Sequence, residues 1–287
     1  MNRTQHRHLN VAALSHAGMT GKNNEDRFDI SSYVLEGQKP VLFAVLSDGI
    51  GGHRAGEVAA ELAVNYIVEN VSQSNGKNPI QIMESAIHAA SQAIASRSAS
   101  KEEHLGMGAT CACVWVERQQ LYIAYVGDSR IYLVRDGSIQ RLTVDHTWVQ
   151  EAVERGIITP AQARDHPNVH VIRRHLGSVE LPNVDFRLRL TTDDNTQQAH
   201  NNQGTPLKGG DTLLMCTDGL TDLVWDDEIL RLILTRNSLK SAAEDLVAQA
   251  NERGGHDNIT VILIGIPRGE LTQPIPKRKG FLNNLLG

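Results

Sequence analysis

Residues Val41 to His53 read VLFAVLSDGIGGH, and this stretch decides how the chain can fold. The apolar run Val41–Leu46 has the length and composition of a buried β-strand. It leads into the carboxylate of Asp48 and then three glycines within four residues. Asp-Gly is a common turn signal, so a plain turn is one interpretation of Asp48–Gly49. The other carboxylates of the sequence decide whether that interpretation suffices.

The overall composition narrows the classes of protein. The chain has 287 residues, 40% of them apolar, and a net charge of -5, so it can bury a large core and gives no reason to expect binding to nucleic acid or a membrane surface as its main role. No run approaches the roughly 18 apolar residues of a membrane span, and the N-terminal MNRTQHRHLN lacks a secretory signal. We expect a cytoplasmic protein with neither a membrane span nor a nucleic-acid partner.

The three cysteines, Cys111, Cys113 and Cys216, are too few for a disulfide framework and indicate reduced thiols. Cys111 and Cys113 alternate along a strand-like run, which places both on one face as small core residues. A zinc site would need partners at better spacing.

Short apolar runs bounded by Gly, Asp or Asn predict six strands: Leu42–Leu46, Thr110–Trp115, Leu121–Val126, Ile131–Val134, Thr212–Cys216 and Ile259–Ile266. Helical spacing of apolar residues predicts further elements after the glycines and at Pro79–Ala99, Trp148–Arg155, Pro160–Arg164, Asp226–Arg236 and Leu239–Arg253. The turn at Asp136–Gly137 favours an antiparallel meander. The pattern therefore predicts an α+β layered sandwich.

Four of the predicted strands carry an aspartate at one end: Asp48, Asp128, Asp218 and Asp257. Strands of one sheet bring their ends to one edge, where clustered carboxylates repel one another and raise one another's pKa unless a cation neutralises them. Oxygen-only ligands favour magnesium, manganese or calcium over zinc. Glycine beside Asp48 and Asp218 lets a main-chain carbonyl approach as a further ligand. Two such ions about 3.5–4 Å apart can hold a hydroxide for attack on phosphorus.

Two nucleotide-binding interpretations of the glycines are weak. Arg54 stands where a dinucleotide fingerprint requires its third glycine, and no Lys-Ser/Thr pair follows Gly56 as in a P-loop.

Seven short motifs, in order, resemble those of the metal-dependent, type 2C protein serine/threonine phosphatases, and most closely the compact bacterial branch. They are Asn24–Asp26 (NED), Ser47–His53 (SDGIGGH), Gly108–Thr110 (GAT), Val126–Arg130 (VGDSR), Leu142–His146 (LTVDH), Cys216–Gly219 (CTDG) and Gly255–Thr260 (GHDNIT). Each motif is weak alone, but the seven together span nearly the whole chain.

The resemblance implies a four-layer α-β-β-α sandwich with two central antiparallel β-sheets and a flap subdomain. The phosphatase domain would cover residues 11–266, with the flap at about 146–178. Residues 1–10 would form an N-terminal extension and residues 267–287 a C-terminal tail or linker.

The resemblance also implies two or three Mn²⁺ or Mg²⁺ ions and a ligand set. Asp48 would bridge two ions and the Gly49 carbonyl would bind one, while Asp218 and Asp257 would complete the other. Asp26 would act through water. Asp128, with Asp218, would hold a third and weaker ion.

The implied reaction is direct hydrolysis of phosphoserine or phosphothreonine by a hydroxide that bridges the metals, which needs no cysteine nucleophile. His53 is one candidate for the proton donor to the leaving alkoxide. A metal-bound water is an alternative donor, and His53 could instead be structural.

One position departs from the family pattern. Family members carry an arginine five residues before the position of Asp26, where a guanidinium grips the substrate phosphate, but this chain has Gly21 there. Lys22, Arg27 and Arg54 are the candidate substitutes, although lysine is not an equivalent clamp.

Three functions follow from these residues. The first is an active phosphatase that acts as a monomer on proteins phosphorylated by serine/threonine kinases. The second, motivated by Gly21, is a weakly active phosphoprotein-binding sensor or scaffold. The third is a two-metal hydrolase of nucleotides or small phosphates.

Overall fold

The computed structural model describes residues 1–51 and 55–269. Within these ranges it has more strands than helices. The strands are β1 (Asn2–Thr4), β2 (Asn10–His16), β3 (Arg27–Leu35), β4 (Lys39–Ser47), β5 (Gly49–Ile50), β6 (Gly108–Ala109), β7 (Cys111–Glu117), β8 (Gln120–Val126), β9 (Arg130–Arg135), β10 (Ser138–Arg141), β11 (Thr205–Pro206), β12 (Thr212–Cys216) and β13 (Ile259–Gly265). The helices are α1 (Ala55–Gln73), α2 (Pro79–Ser100), α3 (Trp148–Glu154), α4 (Pro160–Arg164), α5 (Thr196–Asn201), α6 (Asp218–Thr221), α7 (Asp226–Thr235) and α8 (Leu239–Glu252).

Two antiparallel sheets form the centre of the molecule. The first has six strands in the order β1-β3-β4-β7-β8-β11, and the second has five in the order β10-β9-β12-β13-β2. A two-stranded ribbon of β5 and β6 pairs Gly49 with Ala109 directly after the Asp48 position. The second sheet joins distant parts of the chain, because β13 pairs along its length with β2.

Alternation of side chains along β4 defines the first two layers. Val41, Phe43 and Val45 pack with the buried residues of α1 and α2 on the outer face of the first sheet. Leu42 and Leu46 point the other way, into a core shared with the second sheet. This is the two-residue period of a strand whose two faces are both covered.

The second sheet repeats the arrangement. Leu213 and Met215 of β12 face the first sheet, while Leu214 and Cys216 pack with residues of α7 and α8, including Leu246. Helices therefore cover both outer faces, and the predicted four-layer α-β-β-α sandwich is confirmed.

The N-terminal strands β1, β2 and β3 were not among the predicted elements. Ser31 and Ser32 of β3 are buried, 2% and 4% exposed. Because polar side chains are buried here, the order of polar and apolar residues along β3 does not indicate which of its faces are covered. The segment 1–10, expected as an extension, contributes β1 to the edge of the first sheet beside β3. The predicted tail lies outside the described residues from 270 onward.

None of the helices in the described ranges combines the length and the apolar character that crossing a lipid bilayer requires.

Candidate metal centre

The four strand-end aspartates come from both sheets. Asp48 and Asp128 follow β4 and β8 of the first sheet, while Asp218 follows β12 and Asp257 precedes β13 of the second. From the sequence we expected them along one edge of a single sheet; they lie instead at one end of the sandwich, where two sheets meet. Their proximity shows in the pKa of Asp48. This pKa is raised first by burial and then by the negative charges of Asp26, Asp218, Asp128 and Asp257.

Asp48 is fixed in place by the GAT motif. The Thr110 hydroxyl accepts a hydrogen bond from the Asp48 amide at 3.0 Å, and the Thr110 amide donates to the Asp48 carbonyl at 2.8 Å. The Thr110 hydroxyl also lies 2.9 Å from the hydroxyl of Ser129, the residue after Asp128. One threonine thus connects the loops that carry two of the aspartates.

Glycine at positions 49 and 56 allows the first turn of α1 to lie directly against the Asp48 loop. A Cβ atom on Gly49 would lie 2.1 Å from the Gly56 carbonyl oxygen, and one on Gly56 would lie 2.6 Å from the Gly49 carbonyl oxygen. No side chain fits at either position without moving the backbone. The close approach leaves the main chain of Gly49, a proposed metal ligand, beside the helix.

Asp26 is 3% exposed and is held by two threonines. Its Oδ2 accepts hydrogen bonds from Thr260 at 2.7 Å and Thr217 at 3.0 Å, whereas its Oδ1 is buried without a partner. Burial raises the pKa of Asp26 to about 7, although the two hydroxyl donors oppose the rise. One oxygen is therefore anchored and the other remains available to a cation.

Asn258 joins the N-terminal loop to the Asp257 loop. Its side-chain nitrogen Nδ2 donates to the carbonyls of Ala17 and Asn23, each at 3.1 Å. Its side-chain oxygen accepts a hydrogen bond from the backbone amide of Glu25 at 2.7 Å. The DNIT motif thus brings the residues just before Asp26 to the metal end of the sandwich.

Glu25 is a candidate ligand that the sequence analysis missed. Its Oε1 is buried without a hydrogen-bond partner, and its Oε2 lies 2.8 Å from where a Cβ on Gly56 would be. Burial raises its pKa, and the charge of Asp257 adds to the rise. The signal in the sequence that could have identified Glu25 is its place in the NED motif. Adjacent residues often point in opposite directions, however, so the sequence alone favoured only Asp26.

Asp128 sits on a loop supported by His146. The Gly127 amide donates to His146 Nδ1 at 3.0 Å, and His146 Nε2 lies 3.1 Å from Asp185 Oδ2. Burial and the charge of Asp145 raise the pKa of Asp128 to about 7, with Arg130 opposing. The LTVDH motif thus supports the GDSR loop, a connection that the sequence did not specify.

Asp218 begins α6, and the helix brings a second missed carboxylate near it. Burial, Asp128 and Asp222 raise the pKa of Asp218, and its Oδ1 is buried without a partner. Asp222 is contacted by His170 of the flap, whose Nδ1 lies 3.5 Å from Asp222 Oδ2. Neither His170 nor Asp222 belongs to a pattern that the sequence analysis singled out as a ligand.

The basic candidates differ in their freedom. The Arg27 guanidinium donates to the carbonyls of Asn24 and Asp26 and pairs with Glu57 at 2.6 Å, so it is engaged within the protein. Lys22 is exposed. The two other predicted residues, His53 and Arg54, lie outside the described residues.

Gly21 has open space but a special backbone. No atom lies within 4 Å of a Cβ placed there, yet its φ of +74° is in the left-handed region. A larger side chain would have room but would strain the main chain.

The donor atoms suit a hard divalent cation. Buried carboxylate oxygens of Glu25, Asp26 and Asp218 have no hydrogen-bond partner, and within the described ranges no lysine or arginine forms an ion pair with Asp26, Asp48, Asp218 or Asp257. An all-oxygen set of this kind fits Mg²⁺ or Mn²⁺. The group of carboxylates at this end of the sandwich, between two antiparallel sheets, is therefore a candidate metal centre.

The chain belongs to the protein phosphatase 2C family. The family model described as "Protein phosphatase 2C" matches residues 15–260, which include every strand-end aspartate described above.

Curated relatives have the same character. The chain is 32% identical over 270 residues to the serine/threonine protein phosphatase PstP of Mycobacterium tuberculosis, covering 93% of this chain and 47% of that protein. It thus spans about half of PstP. It is 31% identical over 251 residues to the serine/threonine phosphatase stp of Listeria welshimeri, covering 86% of this chain and 92% of that protein.

A solved structure extends the likeness to the fold. The catalytic domain of PstP in complex with two manganese ions superposes with a TM-score of 0.73 at 30% identity, covering 90% of this chain and 98% of that one.

Proposed function

We propose that the protein is a metal-dependent phosphatase that hydrolyses phosphoserine and phosphothreonine in proteins. The observation that carries the proposal is the group of carboxylates at one end of the sandwich, with buried oxygens that lack partners. Family membership and the manganese-bound PstP relative support it. When bound, two such ions lower the pKa of a shared water and neutralise phosphoryl charge.

The residues of the chain would divide the work as the resemblance implies. Asp48 would serve both ions and the Gly49 carbonyl one of them, while Asp218 and Asp257 would complete the other. Asp26, anchored by its two threonine hydroxyls, would present its one free oxygen. Glu25 joins this set because its buried Oε1 has no other partner.

The cysteines take no part in the proposed reaction. Cys111, Cys113 and Cys216 are fully buried, and burial raises the pKa of Cys113 and of Cys216. A buried thiol with a raised pKa is a poor nucleophile.

Hydrolysis of p-nitrophenyl phosphate and of a phosphothreonine peptide with Mn²⁺ tests the proposal. The wild-type chain is expected to turn over both substrates, and Asp48→Asn and Asp218→Asn are expected to lose turnover. Asp227→Asn, an exposed acid in the first turn of α7, is the matched control and is expected to keep it. Metal binding without turnover in the wild type would contradict the proposal.

Gly21 favours a second candidate, a phosphoprotein-binding sensor or scaffold of weak activity. Arg27 is engaged with Glu57 and with backbone carbonyls, so it is not free to replace the clamp arginine. A sensor would bind phosphopeptide with a micromolar Kd while turning it over slowly. A preference for nucleotides over phosphopeptides would instead favour a hydrolase of small phosphates.

The setting of the protein is part of the same proposal. We infer a cytoplasmic monomer whose substrates are made by serine/threonine kinases. Gel filtration with light scattering tests the oligomeric state, and a dimer would contradict it.

A further inference from the structure

Trp225 is an unusual residue for its place in the chain. It occupies the N-cap position of α7, where its backbone is extended and its side chain makes no capping hydrogen bond. Serine, threonine, aspartate and asparagine are preferred at this position because their side chains bind a free amide of the first turn. The Trp225 side chain is also exposed. A large aromatic ring that neither caps the helix nor fills the core indicates another use.

The backbone beneath the Trp225 ring is held by the body of the protein. Its amide donates to Glu228 Oε2 at 3.1 Å, and Glu228 is in turn paired with Arg253 at 2.6 Å. The next residue, Asp226, accepts a hydrogen bond from the hydroxyl of the buried Tyr132 at 3.1 Å. The ring is therefore presented to the surface from a fixed position between α6 and α7.

An arginine of the flap covers this ring. The Arg164 guanidinium lies 3.3 Å from the centroid of the Trp225 ring, a cation–π contact. The same group donates to the carbonyls of Thr221 and Asp222, at 3.4 and 3.2 Å. Basic side chains commonly bind the last carbonyls of a helix in this way. Arg164 therefore contacts both the end of α6 and the start of α7.

These contacts carry the attachment of α4 to the body of the protein. The five residues of α4 are all half-buried or exposed, so the helix places no side chain in the core. The capping hydrogen bonds between Thr159 and Gln162 are local to the helix. The position of α4 on the sandwich thus depends on the guanidinium of Arg164.

The flap segment that follows α4 lies beside the metal end. His170 Nδ1 is 3.5 Å from Asp222 Oδ2, and a carboxylate oxygen of Asp218 lies within 4.8 Å of both atoms. Asp218 is one of the proposed metal ligands. Residues 164–170 therefore form a wall next to the place where a phosphate would be attacked, and a phosphopeptide extends further along this wall than a small phosphate ester does.

We propose that Arg164 and Trp225 form a latch that fixes the flap beside α6 and thereby makes the site selective for phosphopeptides over small phosphate esters. A wall that is already in place lowers the entropic cost of ordering a bound peptide. Both are positioning residues, because they act on the flap and not on the reacting atoms. The selectivity rests on the proposed phosphatase function, whereas the latch rests only on the contacts of these two side chains.

Amide hydrogen exchange of the full chain in Mn²⁺ tests the latch. Trp225→Ser removes the ring but supplies a good helix cap, so exchange is expected to quicken roughly fivefold in residues 160–170 and to stay unchanged in α7. Arg164→Met is expected to have the same effect on the flap. Trp225→Phe, which keeps an aromatic face, is expected to restore most of the protection.

Matched controls exist on α7. Leu234→Ala changes an apolar residue that is 54% exposed, against 52% for Trp225, and Arg231→Met changes an exposed arginine. Both are expected to keep the wild-type exchange in the flap. Exchange in β12 is the internal reference, and an increase there equal to that in the flap would overturn the latch, because the whole fold would then be destabilised.

The double variant shows whether the two residues act as one contact. In the Arg164→Met background, Trp225→Ser is expected to quicken flap exchange by less than roughly twofold, since the contact is already lost. The full effect of Trp225→Ser in both backgrounds would show that the residues act separately and would overturn the latch. Unchanged flap exchange in either single variant would overturn it as well.

Turnover with Mn²⁺ measures the selectivity. Trp225→Ser is expected to raise KM for a phosphothreonine peptide roughly fivefold and KM for p-nitrophenyl phosphate less than roughly twofold. Equal changes for the two substrates would contradict the selectivity. Failure of the phosphatase proposal would look different, because the exchange pattern needs no turnover and is expected in Asp48→Asn as well.

Discussion

Buried carboxylates occur in two regions of this molecule and are treated in opposite ways. In the flank around Asp145 and Asp185, each aspartate is surrounded by cationic side chains. At the metal end, Asp48 is surrounded by other aspartates, one of which is Asp26. Asp26, Asp145 and Asp185 are buried and Asp48 is half-buried, but the electrostatics of the two regions are opposite.

The flank shows how the protein neutralises a buried charge with its own residues. Burial alone would raise the pKa of Asp145, but Arg130 and Arg141 hold it below its ordinary value. Arg130 reaches Asp145 Oδ2 at 2.7 Å. Burial would likewise raise the pKa of Asp185, but hydrogen bonds from His146 and Arg187 outweigh burial and lower this pKa.

Asp48 and Asp218 at the metal end lack this compensation. Burial and neighbouring carboxylates raise the pKa of Asp48 and of Asp218. A chain that pairs Asp145 with two arginines could pair these aspartates in the same way. Their unpaired oxygens are therefore best explained by a cation from outside the chain.

Replacing one carboxylate in each region gives the largest expected effect. Asp145→Asn leaves Arg130 partly buried beside a neutral group and is expected to lower the free energy of unfolding by about 3 kcal/mol, with or without Mn²⁺. Asp48→Asn is expected to raise the melting temperature of the metal-free protein, because it removes charge from a repelling group. Thermal melts in chelator and in Mn²⁺ measure both.

The comparison breaks if Asp48→Asn lowers the metal-free melting temperature by as much as Asp145→Asn does. The exposed Asp227 provides a neutral reference in both conditions.

The pH dependence of stability is the next expected effect. The pKa of Asp26 is about 7 in the metal-free fold and about 4 in an unfolded chain. A raised folded pKa gives stability that is present below about pH 4 and lost as the pH rises through 7. The metal-free melting temperature is therefore expected to fall between pH 5 and 8.

Mn²⁺ reverses this trend because it competes with protons for the same oxygens. The rise in melting temperature on adding Mn²⁺ is expected to be larger at pH 8 than at pH 5.5. A metal-induced rise that is equal at both pH values would show that these carboxylates do not bind the ion. Asp26→Asn is expected to reduce the metal-free fall.

A smaller effect is expected from the hydroxyl that anchors Asp26. Thr217→Val removes the 3.0 Å hydrogen bond to Asp26 Oδ2 and is expected to weaken Mn²⁺ binding roughly tenfold, as measured by calorimetry. Thr235→Val, on the exposed side of α7, is the control. Equal Mn²⁺ affinity in the two variants would mean that the anchor is unnecessary.

The smallest expected effect concerns Gly21. Gly21→Arg places a guanidinium in open space but strains a φ of +74°, at a cost of about 1–2 kcal/mol. KM for a phosphothreonine peptide is expected to fall relative to Gly21→Ala, which carries the strain without the charge. An unchanged or raised KM would mean that another residue already holds the phosphate.

Candidate site residues could be predicted from the sequence where each lies at the end of a single apolar strand. Asp48, Asp128, Asp218 and Asp257 follow or precede strongly apolar strands, so their positions could be predicted from local pattern. Whether those strands share one sheet is a long-range property, and the single-edge expectation was wrong for that reason.

Other features were hidden by the way they are built. β3 buries Ser31 and Ser32 beside apolar residues, which blurs the pattern of a strand. Glu25 is next to Asp26 in the sequence, and its place at the metal end depends on the hydrogen bond from its backbone amide to Asn258, a contact between distant parts of the chain. His170 approaches Asp222 through the docking of the flap, which no local spacing predicts.

The pairing of β2 with β13 has a consequence for biosynthesis. Asn10 lies opposite Gly265, and His16 opposite Ile259, so an early segment must wait for the last strand of its sheet. Until β13 has left the ribosome, β2 has no neighbour in the second sheet and Asp257 cannot join Asp26. The nascent chain can therefore complete its metal centre only after almost the whole domain has been synthesised, and a chain arrested earlier would expose the free edge of β12 to other chains.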